Sequence, residues 1–420
     1  MHSPRTSHSI KQHQRGAVLM IMLVIMVMGV VAFFVSSLSS SALRVKQDEV
    51  TADALAQAKV ALIGYAVTYG DTHPAVNGYL PCPDSGLNEG HAAPGCGTQN
   101  VSQIGRLPWH TLGLPPLRDA SGECLWYAVA GTYKNSPKTD LMNWDNNGQF
   151  LVFSASGVIA TGQTPDSNAV AVVFAPGAAL SSQGQNRAPD GTAPICGGNY
   201  TASNYLDSDA AISANNSQPS AVANALSQFF TAGASANIND RVIFITKSDI
   251  FNAIKRRNDF APYITNALNS IATSACLAAL PAPVSMTFNN PISPFTTQAS
   301  GGTTIASLVI GRVPQACLTS PPLASPVDDW QDNLLYAKCA SGLACLTVNG
   351  TTCKGVVIFS GEQVGGQTRI TNAQKNTMSN YLEDAPSDIL TAFTSGNTTF
   401  TGAVLYSAGS PSTDILACIP

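Results

Sequence analysis

One apolar stretch limits what this chain can fold into more than any other feature. From Gly16 to Val35 the sequence runs GAVLMIMLVIMVMGVVAFFV, with no charged side chain. At a rise of about 1.5 Å per residue, roughly 20 apolar residues in a helix cross a hydrocarbon core. The preceding residues carry Arg5, Lys11, Arg15 and three histidines, and no acid. A basic flank is retained in the cytoplasm, so everything after the run is expected on the far side of the membrane. A secretory signal has an apolar region of only about 7–15 residues before a small-residue cleavage site. Ser39-Ser40-Ser41-Ala42 imitates such a site, but the run before it is too long. A plain signal anchor is the simplest alternative.

Composition agrees with export. Charged residues are 11% of the 420, against about 25% in an average protein. Gly, Ser, Thr, Asn and Ala take their place. The net charge of −4 supplies no basic field, so no nucleic-acid partner is expected. The length predicts roughly two or three domains. Ten cysteines follow the apolar run: Cys82, Cys96, Cys124, Cys196, Cys276, Cys317, Cys339, Cys345, Cys353 and Cys418. Their number is even and their spacing is not that of a zinc site, so disulfides in an oxidising compartment are expected. Buried free thiols are the alternative. Connectivity stays open; local pairs are Cys82–Cys96, or two of Cys339, Cys345 and Cys353.

Beyond the run, Arg44 to Gly70 keeps helical periodicity through Leu55, Leu62, Ile63, Ala66 and Tyr69, with apolar residues three, four and seven apart. Gly70, Asp71 and Pro74 supply the stop. The two stretches together make one helix of roughly fifty residues, several times the usual length. The junction Gln14-Arg15-Gly16-Ala17 places a glycine directly before the apolar run, after a short basic leader. That arrangement resembles the signal of type IV pilins and type II secretion pseudopilins. The resemblance implies cleavage between Gly16 and Ala17 by a prepilin peptidase, methylation of the new N-terminus, and retention of the helix. It also implies bundling with other pilin or pseudopilin subunits on an inner-membrane assembly platform. Small residues such as Ala17, Gly29 and Ala32 suit close helix contact. The family usually carries Glu at the fifth mature position, where this chain has Ile21. A subunit without that carboxylate cannot neutralise the terminal ammonium of a neighbour, so a minor, tip-proximal place is implied.

The chain also repeats itself. Ile104-Gly105-Arg106-Leu107-Pro108 recurs as Ile310-Gly311-Arg312-Val313-Pro314, and Pro115-Pro116-Leu117 as Pro321-Pro322-Leu323. Asp119, Leu125, Tyr127 and Ala128 recur as Asp328, Leu334, Tyr336 and Ala337. Val172-Val173-Phe174 with Gly177 answers to Val357-Ile358-Phe359 with Gly361, and Arg187 to Arg369. Asn204-Tyr205-Leu206-Asp207 answers to Asn380-Tyr381-Leu382-Glu383. A helix over 248–275, capped by Ser248 or Asp249 and kinked or split by Pro262, precedes the second copy. Strands are expected over 124–130, 149–154, 169–174 and 240–246, then 305–311, 333–338, 344–348, 351–359 and 402–407. Asn349-Gly350 marks a hairpin. Asp328, Trp330, Asn333 and Tyr336 resemble a stretch at the start of the sheet in major pseudopilins. The expected organisation is a leader over 1–16, a transmembrane helix over 17–43, an extramembrane helix and first head over 44–247, and a second helix and head over 248–420, with a loop over 281–302. The fold class is α+β, with two tandem pilin-like heads, each a helix on an antiparallel sheet.

Chemistry is sparse. His73, His91 and His110 lack metal spacing, although His91 lies near Cys96. Ser154-Ala155-Ser156-Gly157 lacks the leading glycine of a nucleophile elbow, and no phosphate-binding loop occurs. Asp140, Asn143, Asp145, Asn146, Asn147 and Gly148 form an oxygen-rich loop; calcium is the one cofactor it suggests, and an Asn-Gly turn the simpler reading. No catalytic residue is named, and the chain is not expected to be an enzyme. The function expected is a minor pilin-like or pseudopilin-like subunit in the inner membrane, its head periplasmic. The alternative is an adhesin or binding protein on an anchor or filament tip.

Overall fold

The computed structural model describes residues 14–73, 77–139, 141–231, 237–278, 302–305, 307–318, 327–375, 377–384 and 388–420. Most of the expected leader, Pro321-Pro322-Leu323, Asp140 and nearly all of the 281–302 loop lie outside the described residues. The chain divides into two compact units, Met1–Asp53 and Ala54–Pro420. What is described of the first is helix, part of α1 (Gln14–Thr68).

In the second unit, α1 buries Ala54, Leu55, Ala58, Leu62 and Ala66. Their spacing of about four residues makes one narrow stripe, and its alanines let the helix lie close to its neighbours. Seven strands form the first large sheet: β1 (Gln103–Arg106), β2 (Trp126–Val129), β3 (Phe150–Phe153), β4 (Ile159–Thr161), β5 (Ala169–Ala175), and, after the ribbon of β6 (Ser208–Asp209) and β7 (Ala214–Asn215), β8 (Ser227–Phe230) and β9 (Arg241–Thr246). Its order is β1-β2-β5-β3-β4, with β8 beside β3 and β9 beside β5. All seven residues of β5 are buried, which suits its unbroken apolar sequence AVAVVFA. The pairing of β3 with β8 is parallel, so this sheet is mixed where a purely antiparallel one was expected.

The second sheet is antiparallel throughout. β10 (Gly302–Ile305), β11 (Leu308–Arg312), β12 (Leu334–Cys339), β15 (Gly355–Phe359) and β17 (Ile415–Ile419) pair in that order. Between them, β13 (Leu346–Val348), β14 (Thr351–Cys353) and β16 (Thr399–Phe400) make a small separate sheet. Asn349 and Gly350, at φ 51° and 80°, turn the β13–β14 hairpin as their sequence requires. No strand covers 402–407; the last strand is β17 instead.

The repeat reappears as matching strand register. Gly105 lies opposite Tyr127 and Ile104 opposite Ala128; Gly311 lies opposite Tyr336 and Ile310 opposite Ala337. The next strands differ from the expected match by one residue. Tyr127 faces Val173 and Tyr336 faces Val357, so Phe174 corresponds to Ile358, not to Phe359. A one-residue step reverses the face of every side chain. It turns Phe359 toward Trp144, Trp330 and Tyr406. The last strands correspond as well, with Val173 opposite Ile243 and Val357 opposite Ala417. A glycine is needed in β1 because a Cβ at Gly105 would sit 2.4 Å from the Asp84 carbonyl oxygen.

The two copies are not separate heads. One hydrophobic cluster takes in α1, both large sheets and the helices between them, from Ala54 to Ile419. The far face of the second sheet has a core of its own, built on Leu308, Ile310, Leu335, Ile358 and Phe393. The expected boundary at 247/248 falls inside the compact unit. There the chain forms α2 (Lys247–Lys255) and α3 (Phe260–Ala272). The α2 cap is Thr246, in a reciprocal capping box with Asp249, two or three positions ahead of the expected caps. The helix splits just before Pro262, which sits in the first turn of α3, where proline is tolerated.

Candidate functional site

The residues singled out for assembly belong to α1. Gly16 and Ala17 are helical. From Met20 to Met28 every side chain is exposed, Ile21 among them at 59%. A run of bare apolar side chains marks contact with a membrane or another protein. Among the described residues one segment, Ala42–Asp71, is long and apolar enough to cross a membrane by length and composition. Part of its apolar surface is the buried stripe of α1 within the second unit.

The head carries a polar constellation built twice. In the first copy Arg106 and Arg187 lie over the Tyr205 ring, 5.1 and 4.9 Å from its centroid. In the second, Arg312 and Arg369 lie over Tyr381 at 4.8 and 4.3 Å. Arg187 donates to the carbonyls of Asn204 and Gly177 and to Gln185 Oε1. Arg369 donates to the carbonyls of Asn380 and Gly361 and to Gln367 Oε1. The repeat motifs thus come together in space as one network, with Gln185 and Gln367 added.

Each network ends on a pair of carboxyl groups. Asp207 N–H donates to Asp240 Oδ2 at 2.7 Å, and Asp240 and Asn239 N–H donate back to Asp207 Oδ2. Glu383 N–H donates to Asp414 Oδ2 at 3.2 Å. Gln185 and Gln367 donate to Asp207 and Glu383. Burial, with its neighbouring acid, raises Asp240 well above the ordinary carboxyl range; burial likewise raises Asp207. Asp414 is raised well above that range by burial and by Glu383, and burial raises Glu383. Two acids close together in a dry site disfavour ionisation, because burial and like charge both penalise the charged form. Asp240 and Asp414 escaped the sequence comparison. Each stands three residues ahead of the strand position paired with Val173 or Val357. Only that register aligns them.

The copies differ in what the second arginine reaches. Arg187 pairs with Glu123 at 3.2 Å, within its own repeat. Arg369 pairs with Asp145 of the first repeat at 3.2 Å, and both side chains are buried. The oxygen-rich loop is therefore used by the protein itself. Asn143 Oδ1 accepts from Asp145 N–H, and Asn143 Nδ2 donates to the Asp329 carbonyl. Among the described residues no group of three or more metal-ligating side chains gathers. His91 stacks on His110 with ring centroids 4.0 Å apart, and its neighbour Cys96 is tied in a disulfide. Ser154 to Gly157 is a turn joining β3 and β4, closed by the Gly157 N–H on the Ser154 carbonyl. Trp126, Tyr127, Trp330 and Tyr336 are core residues.

All ten cysteines are paired: Cys82–Cys96, Cys124–Cys196, Cys276–Cys317, Cys339–Cys345 and Cys353–Cys418. Five disulfides point to an oxidising, non-cytoplasmic setting. Comparison with protein-family models, with curated proteins and with solved structures finds no match to the chain.

Proposed function

We propose that the chain is a minor pilin-like or pseudopilin-like subunit, held in the inner membrane and assembled through α1 into a type IV pilus or type II secretion filament. The observation that carries this reading is the uncharged run from Gly16 to Val35 on a continuous helix, with its described side chains from Met20 to Met28 bare. Bare apolar surface of that kind requires lipid or other helices. The Gly16–Ala17 junction supports processing, with prepilin peptidase cutting between them on the cytoplasmic side. The disulfides support a periplasmic head. Ile21 supports a place at the filament end, since an apolar side chain there offers a neighbouring terminal ammonium no partner. A pilus-tip adhesin is the second reading, favoured by the large, polar, duplicated head.

The mature N-terminus, read by mass spectrometry of the protein purified from its own membrane, tests the reading. N-methylated Ala17 is the expected result. An intact Met1, or a new terminus near Ala42, overturns it.

A further inference from the structure

We propose that the side chains of Lys247 and Asn147 join in a spontaneous isopeptide bond, with Asp166 as the acid and base of the step. Lys247 Nζ donates to Asn147 Oδ1 at 3.0 Å and to Asp166 Oδ1 at 2.8 Å. One nitrogen thus touches both a carboxamide and a carboxylate. Lys59, Lys255 and Lys375 are also paired with acids, but an ionised carboxylate is a poor electrophile. A carboxamide can lose ammonia to an attacking amine, with an acid beside it to move the protons. This inference does not rest on how α1 is processed.

The three residues come from separate parts of the chain, and each is held in place. Asn147 lies 100 residues before Lys247. Its carbonyl accepts from Thr132 Oγ1 at 2.9 Å, and the Gly148 carbonyl accepts from Asn168 Nδ2 at 3.1 Å. A Cβ at Gly148 would lie 2.2 Å from the Ala169 carbonyl oxygen, so this stretch packs directly on the start of β5. Lys247 opens α2, where the capping box of Thr246 and Asp249 fixes the turn. Asp166 stands between β4 and β5, and its Oδ2 accepts from Gln363 Nε2 of the second repeat at 3.1 Å. The Lys247 side chain is 11% exposed. Groups fixed with their reacting atoms about 3–3.5 Å apart react as though at very high concentration. The carbon to be attacked, Asn147 Cγ, is one bond of about 1.23 Å from the oxygen that Lys247 touches.

The Lys247 ammonium gives a proton to Asp166, and the freed electron pair on Nζ attacks Asn147 Cγ. The Nζ–Cγ bond forms and the Cγ–Nδ2 bond breaks. Two of the three Nζ protons pass through Asp166 to the departing nitrogen, which leaves as ammonium. An amide and an ionised Asp166 remain, and nothing is oxidised or reduced. A cavity of about 230 Å³, lined by Lys247, Asp166 and Gln363, gives the departing ammonium room.

The test uses the full chain purified in non-ionic detergent, then reduced, alkylated and digested for tandem mass spectrometry. The expected product is a branched peptide joining Lys247 to Asn147, lighter than its two parts by one ammonia, about 17 Da. Lys247→Arg should abolish it. Asp166→Ala keeps both reacting side chains and should leave them unlinked. Circular dichroism checks that the variants fold; where one does not, the wild-type peptides alone decide. The proposal is overturned if the wild-type peptides carrying Lys247 and Asn147 are recovered apart at their full masses. It is equally overturned if Asn147 is found deamidated, about 1 Da heavier, or if folded Asp166→Ala is linked as completely as the wild type.

Discussion

Arg187 and Arg369 occupy equivalent places in the two repeats, yet removing them should cost different amounts. Arg187 also reaches the Tyr205 carbonyl, but otherwise each donates to a matching pair of backbone carbonyls, on Gly177 and Asn204 or on Gly361 and Asn380. Those losses are common to both and cancel in a comparison. The anions differ. Asp145 is 1% exposed, whereas Glu123 is 27% exposed. Removing one partner of a buried pair leaves an uncompensated charge and costs about 3–5 kcal/mol. A partly solvated pair is worth about 0–1 kcal/mol. Arg369→Ala should therefore destabilise the protein by about 3 kcal/mol more than Arg187→Ala. Urea unfolding of the full chain in detergent, followed by tryptophan fluorescence, measures this. Trp144 stands beside Asp145 in the chain and packs on Trp330 of the other repeat, 4.2 Å between centroids, so the signal reports on the seam. Adding Asp145→Asn to Arg369→Ala removes the orphaned charge and should recover much of the loss, a coupling expected only of interacting sites. Equal losses for the two arginines, or a double variant weaker than Arg369→Ala alone, would refute the reasoning.

The carboxyl pairs make a prediction about pH. An acid whose pKa is raised by folding contributes stability that is complete below its unfolded value of about 3.9 and is lost as pH rises through the folded one. Asp240 and Asp414 are both raised well above the ordinary range. Stability should thus fall from acidic toward alkaline pH, and Asp240→Asn with Asp414→Asn should flatten that slope in urea melts at a series of pH values. A slope unchanged in the double variant removes the pairs as its cause. The disulfides should differ in worth, because a longer closed loop restricts the unfolded chain more. Cys124–Cys196 spans 72 residues and Cys339–Cys345 only 6; by loop entropy, serine replacement costs about 4 and about 2 kcal/mol. Denaturation midpoints of the two double-serine variants give the order, and a reversed order counts against the loop argument.

Local signals in the sequence settle the local elements. The apolar run, the four-residue stripe of α1 and the Asn349-Gly350 turn each depend on neighbours within a few residues, and each is visible there. So are the repeat motifs, because both copies place Gly and Tyr at matching strand positions. The cap of α2 was missed by a few positions, since Thr246 ends a strand as well as starting a helix. What the chain could not reveal by itself depends on packing between distant segments. The register that turns Phe359 into the shared core follows from the aromatic cluster it joins, not from its own neighbours. Asp240 and Asp414 become partners of Asp207 and Glu383 only when the last strand of each repeat docks. The merging of two expected heads into one unit was decided by buried surface that neither copy covers alone. A sequence pattern shows that a face is apolar; only the tertiary structure selects which other face it meets, because burial has no direction of its own and is satisfied by whichever surface fits.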